Sequence, residues 1–238
     1  MSQINILLLG GIFGLFLGCV LSRSHIKKII RIHRTPSHSI NTVPKGVQVH
    51  VTGRVRSELR SIRSPLTQTE CVLWRAEALR LAPSGETSTW ENIFSETSVH
   101  PFEIEDGTGN IRIYPVDAEL ILRNDWYYES GLFGSFPPEA EAALARLHIP
   151  RARRWGQTEK IRAYEQLVKV GDRVSVIGRI MEQNGTPIIS TSKDDFPILI
   201  SERSRSFQLL TLYVYTIVRV ALPIPFGAAI ALLIASYA

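Results

Sequence analysis

Cysteine is almost missing from this sequence: Cys19 and Cys71 are the only two. A pair so far apart builds neither a disulfide framework nor a zinc knuckle, so nothing here requires an oxidising compartment. The histidines, at positions 25, 33, 38, 50, 100 and 148, show no H-x-x-x-H or other metal-ligand spacing. G-x-S-x-G, the P-loop and G-x-G-x-x-G are missing too. Ser, His and Asp occur, but no spacing assembles them into a triad. The expectation is no catalytic residue, no metal, no cofactor and no small-molecule substrate. Cys71 opens an apolar stretch, where a buried inert thiol is the expected state.

Charge is missing at both ends. Residues 4–22, INILLLGGIFGLFLGCVLS, have no charged side chain and are long enough to cross a hydrocarbon layer of about 30 Å. Residues 1–5 have no Lys or Arg to form the n-region of a signal peptide. Phe16 and Leu17 are too bulky for a good lipoprotein cleavage site before Cys19, so an uncleaved anchor is expected. At the other end, 209–236 is apolar apart from Arg219, and Pro223 and Pro225 interrupt it. Two forms fit: one kinked span with Arg219 snorkelling at its boundary, or a re-entrant hairpin.

What is present is basic. Net charge is +5 and the isoelectric point is about 9.4. Arg23, Lys27, Lys28, Arg31 and Arg34 follow the first apolar segment with no acidic residue among them, and Arg203 and Arg205 precede the second. The outer flanks are uncharged, so the positive-inside rule puts the intervening domain on the cytoplasmic side of a two-span protein. Juxtamembrane cations are each worth about 1 kcal/mol against anionic lipid, which makes membrane lipids the first expected partner.

Between the ends the hydrophobic period is two. VQVHVTGRV (47–55), PFEIE, NIRIYP, AELILR (118–123), GDRVSVIGRIM (171–181), TPIIST (186–191) and FPILIS (196–201) read as strands, and CVLWRAEALRLA (71–82) as a strand or a short helix. VHVTGRV and VSVIGRI share V-x-V-x-G-R-[V/I]. Glycine inside a strand marks a bulge or sharp coil, as the corners of a small closed barrel need. PPEAEAALARLH (137–148) reads as a helix with Ala140, Ala143, Leu144 and Leu147 on its apolar face.

The tetrapeptide Asp106-Gly107-Thr108-Gly109 lies between two alternating strands. It has too few ligands for a calcium loop, and no second aspartate element completes a protease dyad. Asp106, Gly107 and Gly109 therefore read as a structural turn. The basic, Trp-bearing run containing Arg151, Arg153, Arg154, Trp155, Lys160 and Arg162 is a candidate contact for lipid or a partner protein. Nucleic acid is the less favoured alternative, because most of the excess charge lies beside the apolar ends.

Taken in order, Arg34-Thr35-Pro36, VHVTGRV, Ser64-Pro65-Leu66-Thr67 with Cys71-Val72, Trp90, Pro101-Phe102, Asp106-Gly107-Thr108-Gly109, Pro115, Gly171-Asp172-Arg173-Val174, Gly178-Arg179 and Ile200-Ser201-Glu202-Arg203 resemble the GIDE family, also called BAM for "beside a membrane". Glu70 stands where the family usually has proline. The resemblance, over roughly residues 34–206, implies a membrane-flanked domain known from mitochondrial E3 ubiquitin ligases. Those ligases carry a RING with two zinc sites after the second span. This sequence stops at Ala238 and lacks the cysteines, so ligase activity is not carried over.

The resulting expectation is a mainly β (α+β) chain: a compact barrel-like (OB-like) β domain with one inserted helix, flanked by two transmembrane helices. The boundaries are a transmembrane helix at 4–22, a basic juxtamembrane linker at 23–43, a β domain at 44–206 with an insertion at 126–165, and a second, proline-kinked transmembrane segment at 209–236. The expected role is non-catalytic binding, scaffolding or membrane-surface sensing, with an unidentified protein partner. An E3-ligase-related protein and an OB-like nucleic-acid module are the alternatives.

Overall fold

The computed structural model describes residues 3–56, 61–84, 87–130, 137–149, 153–154, 157–158, 160–191, 197–226, 229–230 and 233. In chain order the elements are α1 (Gln3–Leu21), α2 (Arg23–Arg34), a 3-10 turn (Ile40–Thr42), β1 (Gln48–Val55), β2 (Ile62–Arg63), β3 (Glu70–Cys71), β4 (Leu73–Ser84), β5 (Thr87–Thr97), β6 (Phe102–Glu105), β7 (Asn110–Ile113), β8 (Glu119–Ile121) and β9 (Trp126–Glu129). They continue with α3 (Pro138–Arg146), β10 (Arg153–Arg154), β11 (Gln157–Thr158), β12 (Ile161–Val168), β13 (Arg173–Gln183), β14 (Thr186–Ser190), β15 (Leu199–Ser201) and α4 (Arg205–Ala221). The chain forms two compact units, Pro36–Glu202 and the pair of ends Met1–Thr35 with Arg203–Ala238.

In the larger unit, β1, β6, β7, β14 and β13 follow one another around a ring that closes through β1 and β13. Numbered along the chain, these five strands run 1-2-3-5-4, with the third parallel to the fifth. This is an OB-like closed barrel. β15 and β8 extend the sheet beyond β13. Alternation puts Val49, Val51, Phe102, Ile104, Ile111, Ile113, Val174, Val176 and Ile189 into one buried core.

The repeated V-x-V-x-G-R segments close the barrel against each other. They pair antiparallel, Gly53 opposite Val174 and Gly178 opposite Val49. A Cβ on Gly53 would lie 2.6 Å from the Glu105 carbonyl, and one on Gly178 would lie 2.5 Å from Ile189 Cγ2. Both glycines are close-approach sites at the places where the sheet must coil.

The second sheet runs β5-β4-β12-β9 and is antiparallel throughout. The segment 71–82, ambiguous by pattern, is strand. Residues 126–165 leave the barrel between its third and fourth strands, as an insertion should, and they contribute β9 and most of β12 to this sheet. One face is covered by α3, whose Ala140, Ala143 and Leu144 pack with Ala76, Ala78, Ile161, Ala163 and Leu66. Alanine on both surfaces lets helix and sheet approach closely.

The smaller unit is helical. By length and composition one helix, Arg205–Phe226, could cross a membrane, or two if α1 and α2, bent by 58° at Ser22, act as one span. The helix carries on through Pro223 to Phe226, so no hairpin forms among the described residues. α1 packs on this helix through glycine: a Cβ on Gly14 would meet the Pro223 carbonyl and Ile224 Cα, and one on Gly18 would meet Val220 Cα. Leu8, Ile12, Phe13, Phe16, Leu210, Ile217 and Phe226 remain exposed around the pair.

Candidate functional site

The hairpin around Asp106 pairs Glu105 with Asn110, leaving residues 106–109 as its loop. Gly107 takes a φ of +86°, which a side chain would resist. The Asp106 carboxylate accepts from Thr108 N at 2.9 Å and Thr108 Oγ1 at 2.6 Å on one oxygen. Its other oxygen accepts from Ile40 N at 2.8 Å. Partial burial raises its pKa, but hydrogen bonds from the Thr108 hydroxyl and from the Ile40, Thr108 and Gly109 amides outweigh this and hold it below the ordinary carboxylate value. The Asp106 carboxylate thus binds its own loop and ties the 3-10 turn to the barrel.

Outside the same hairpin lies a groove of about 290 Å³ lined by Glu103, Asn110, Arg112, Tyr114, Gln183, Asn184 and Thr186, with Pro187 and Ile188. OB barrels take ligands on this face. Here Arg112 is held by Glu103 through Nε at 3.0 Å and Nη2 at 2.7 Å, so its charge is matched inside the groove. Tyr114 is the one aromatic among these residues, a poor platform for stacking bases.

The Ser64-Pro65-Leu66-Thr67 loop is built around a residue that the sequence did not single out. Glu165, fully buried on β12, accepts from Ser64 Oγ at 2.9 Å, Leu66 N at 2.7 Å, Thr67 N at 3.2 Å and Thr67 Oγ1 at 2.5 Å. Nearby Cys71 is buried, and burial together with the Glu165 charge pushes its thiol up to about 12. That thiol is inert.

Of the predicted contact residues, α2 brings five together. Arg23, Lys27, Arg31 and Arg34 recur every three or four positions along one side, with Lys28 beside them, while Ile29 and Ile32 are buried on the other. Arg151 and Trp155 lie outside the described residues. Arg153 and Arg154 are described as the backbone of β10 paired with β11, their side chains not included. Lys160 and Arg162 are ion-paired to β9. The Glu129 carboxylate receives Lys160 Nζ at 2.9 Å and Arg162 Nη2 at 3.0 Å, and Arg162 lies 4.2 Å from the centre of the Trp90 ring. Hydrogen bonds from Tyr127 and then Lys160 and Arg162 hold Glu129 down at about 2, so both cations face a permanent anion.

Twenty-seven basic and twenty-two acidic residues make up the chain, and eight of the basic but none of the acidic lie in residues 1–35 and 203–238. The ends therefore carry +8, and the β unit, with nineteen basic and all twenty-two acidic residues, carries −3.

The family model for GIDE, described as E3 ubiquitin ligase, matches residues 79–211, more than half of the chain. The chain belongs to the GIDE family. No curated protein and no solved structure matches it. The GIDE match begins within β4 and ends within α4, so the Asp106 hairpin, the groove and all of the second sheet except the first half of β4 fall inside it. β1 and the Ser64–Thr67 loop lie ahead of it, joined to matched residues through the β1–β13 seam and Glu165.

Proposed function

We propose that this GIDE protein is anchored in a membrane by segments 4–22 and 209–236 and presents its β unit on the cytoplasmic side as a non-catalytic platform for a partner protein. The distribution of charge carries the reading. Seven of the eight cations of the ends flank the apolar segments and Arg219 lies within the second, the outward side chains there are exposed, and no Asp or Glu lies among them. Lipid supplies both an apolar surround for the helices and anions for the cations.

The non-catalytic part is supported by the state of the reactive groups. The Cys71 thiol is buried and raised to about 12. His50 is buried, with Nδ1 2.8 Å from Ser37 Oγ and Nε2 2.7 Å from Ser175 Oγ, so both ring nitrogens are occupied. The partner face favoured here is the open side of the second sheet and the insertion that feeds it, where Tyr127 is exposed beside Glu129, Arg162 and Trp90. The arginines of 151–154 and Trp155 are its expected extension.

Alkaline carbonate extraction and protease protection test the anchor. The protein should stay in the pellet, with the β unit digested only from the cytoplasmic face; release into the supernatant would end the reading. Proximity labelling from the embedded protein, repeated with Tyr127→Ala and with Arg151, Arg153 and Arg154 changed to Glu, tests the platform. Loss of the same neighbours from both variants is the expected result. The OB-like topology keeps one other reading open, a nucleic-acid module. The −3 charge of the β unit and the matched Arg112 weigh against it, and an oligonucleotide titration showing a steep salt slope would favour it.

A further inference from the structure

In the helical unit three buried polar groups lack a partner: Ser22 Oγ at the bend between α1 and α2, His25 Nδ1 on α2 and Thr216 Oγ1 on α4. Ser22 has no exposed surface and makes no capping bond to α2 with its side chain. The three helices that carry them pack on one another. His25 Nε2 is 3.2 Å from Arg219 Nη1, and the His25 ring packs 5.7 Å from that of Tyr215. Ser22 lies between His25 and Gly18, and a Cβ on Gly18 would be 3.2 Å from the Arg219 carbonyl. Thr216 precedes Arg219 by one helical turn.

The hydrogen-bond roles follow from the chemistry. Guanidinium only donates, so His25 Nε2 accepts, which leaves the ring's N–H on Nδ1. The unpartnered groups are thus an N–H and two hydroxyls, all able to donate, beside an exposed arginine. Unit Met1–Thr35 with Arg203–Ala238 contains no carboxylate to receive them. An uncompensated set of buried donors is costly and awaits an acceptor-rich anion. Phosphate offers several acceptor oxygens and suits the planar fork of arginine. The bend also lies where uncharged α1 gives way to basic α2, the level at which an anchored chain meets headgroups.

We infer that Ser22, His25, Thr216 and Arg219 form a binding site for one phosphate group, supplied by the headgroup of a phospholipid. The lipid source rests on the membrane reading above; the phosphate chemistry rests on the unpartnered donors.

The test uses the full chain in maltoside micelles, where phosphate is absent from the detergent. Phosphatidylglycerol, diacylglycerol and inorganic phosphate are added separately, and bound molecules are counted by native mass spectrometry. One phosphatidylglycerol per chain should be retained, with diacylglycerol not held. Arg219→Gln should weaken retention by about tenfold or more, the usual loss for a charge-assisted hydrogen bond. Lys27→Gln with Lys28→Gln should leave that single lipid in place. Saturation by inorganic phosphate alone would keep the site and assign it to the free anion.

Ser22→Ala with Thr216→Val separates binding from folding. Without lipid it should melt at or above the wild-type temperature, because two unsatisfied hydroxyls are gone. With phosphatidylglycerol the wild type should gain stability and this variant should not. Equal retention by wild type, R219Q and the double variant, or equal binding of diacylglycerol, would overturn the site. A protein that resists carbonate extraction yet holds no phosphatidylglycerol refutes this inference alone; one that is extracted refutes the anchor.

Discussion

A carboxylate with no exposed surface survives only among donors, and Glu165 has four of them from one loop. Glu165→Ala takes the acceptor from the Leu66 and Thr67 amides and leaves the Ser64 and Thr67 hydroxyls only each other and Thr69, and it should destabilise the chain by about 3 kcal/mol, read as a fall in the denaturation midpoint. Glu165→Gln keeps one acceptor and should fall between. Asp106 is partly solvated, so Asp106→Asn should cost less, about 1 kcal/mol. Its folded pKa lies below the unfolded one, so its contribution is present above the ordinary carboxylate value of about 3.9 and is lost as pH falls through the folded value. Wild type and variant should therefore differ at neutral pH and converge below about pH 4. Cys71 supplies a third check. In a Cys19→Ser background, no alkylation should occur at pH 8 until denaturant is added, because burial keeps the thiol protonated and out of reach.

The helix pair of the smaller unit depends on how closely α1 approaches α4, and the glycines of α1 form a graded series. A Cβ at Gly11 would find its nearest neighbour 3.9 Å away, at a side-chain methyl. At Gly14 it would lie 2.4 Å from a backbone carbonyl, and at Gly18 2.8 Å from a backbone Cα. Gly11→Ala should be silent, while Gly14→Ala and Gly18→Ala should force the helices apart and abolish cysteine cross-linking between them. Gly14 and Gly18, four residues apart, share the side of α1 that meets α4; the apolar pattern of residues 4–22 does not reveal that contact. Strand legibility also followed physical cause. β1, β6, β7, β13 and β14 alternate cleanly because one face is barrel core. β12 alternates as well, with Ile161, Ala163 and Glu165 inward, but a small residue and a charged one in those places read as surface. β5 is an edge strand whose period is broken by the register shift opposite Ala78/Leu79. On the candidate contact surface, the cations of residues 23–34 could be read directly, but as a linker rather than as one side of the helix α2. The loss of Lys160 and Arg162 to Glu129 could not, since that pairing depends on β9 lying next to β12.

Across the chain as a whole, composition conceals a division. A net charge of +5 suggests a basic protein, yet the β unit is acidic and the unbalanced positive charge lies in the ends that hold the apolar helices. Basic residues close to a span orient it, whereas charges deep within a long intervening domain have little influence. Residues 1–5 and 236–238 carry no charged side chain. Orientation should therefore rest on Arg23, Lys27, Arg31 and Arg34, together with Arg203 and Arg205. Changing the first four to Gln removes half of the eight cations while leaving Ile29 and Ile32 to hold α2 in place. A fraction of the β unit should then become protected from external protease, and moving four Lys into residues 1–5 should raise that fraction. If both variants keep the β unit fully cleavable, its sidedness is set by something other than this cluster, and the cations of α2 would be left with lipid contact as their role.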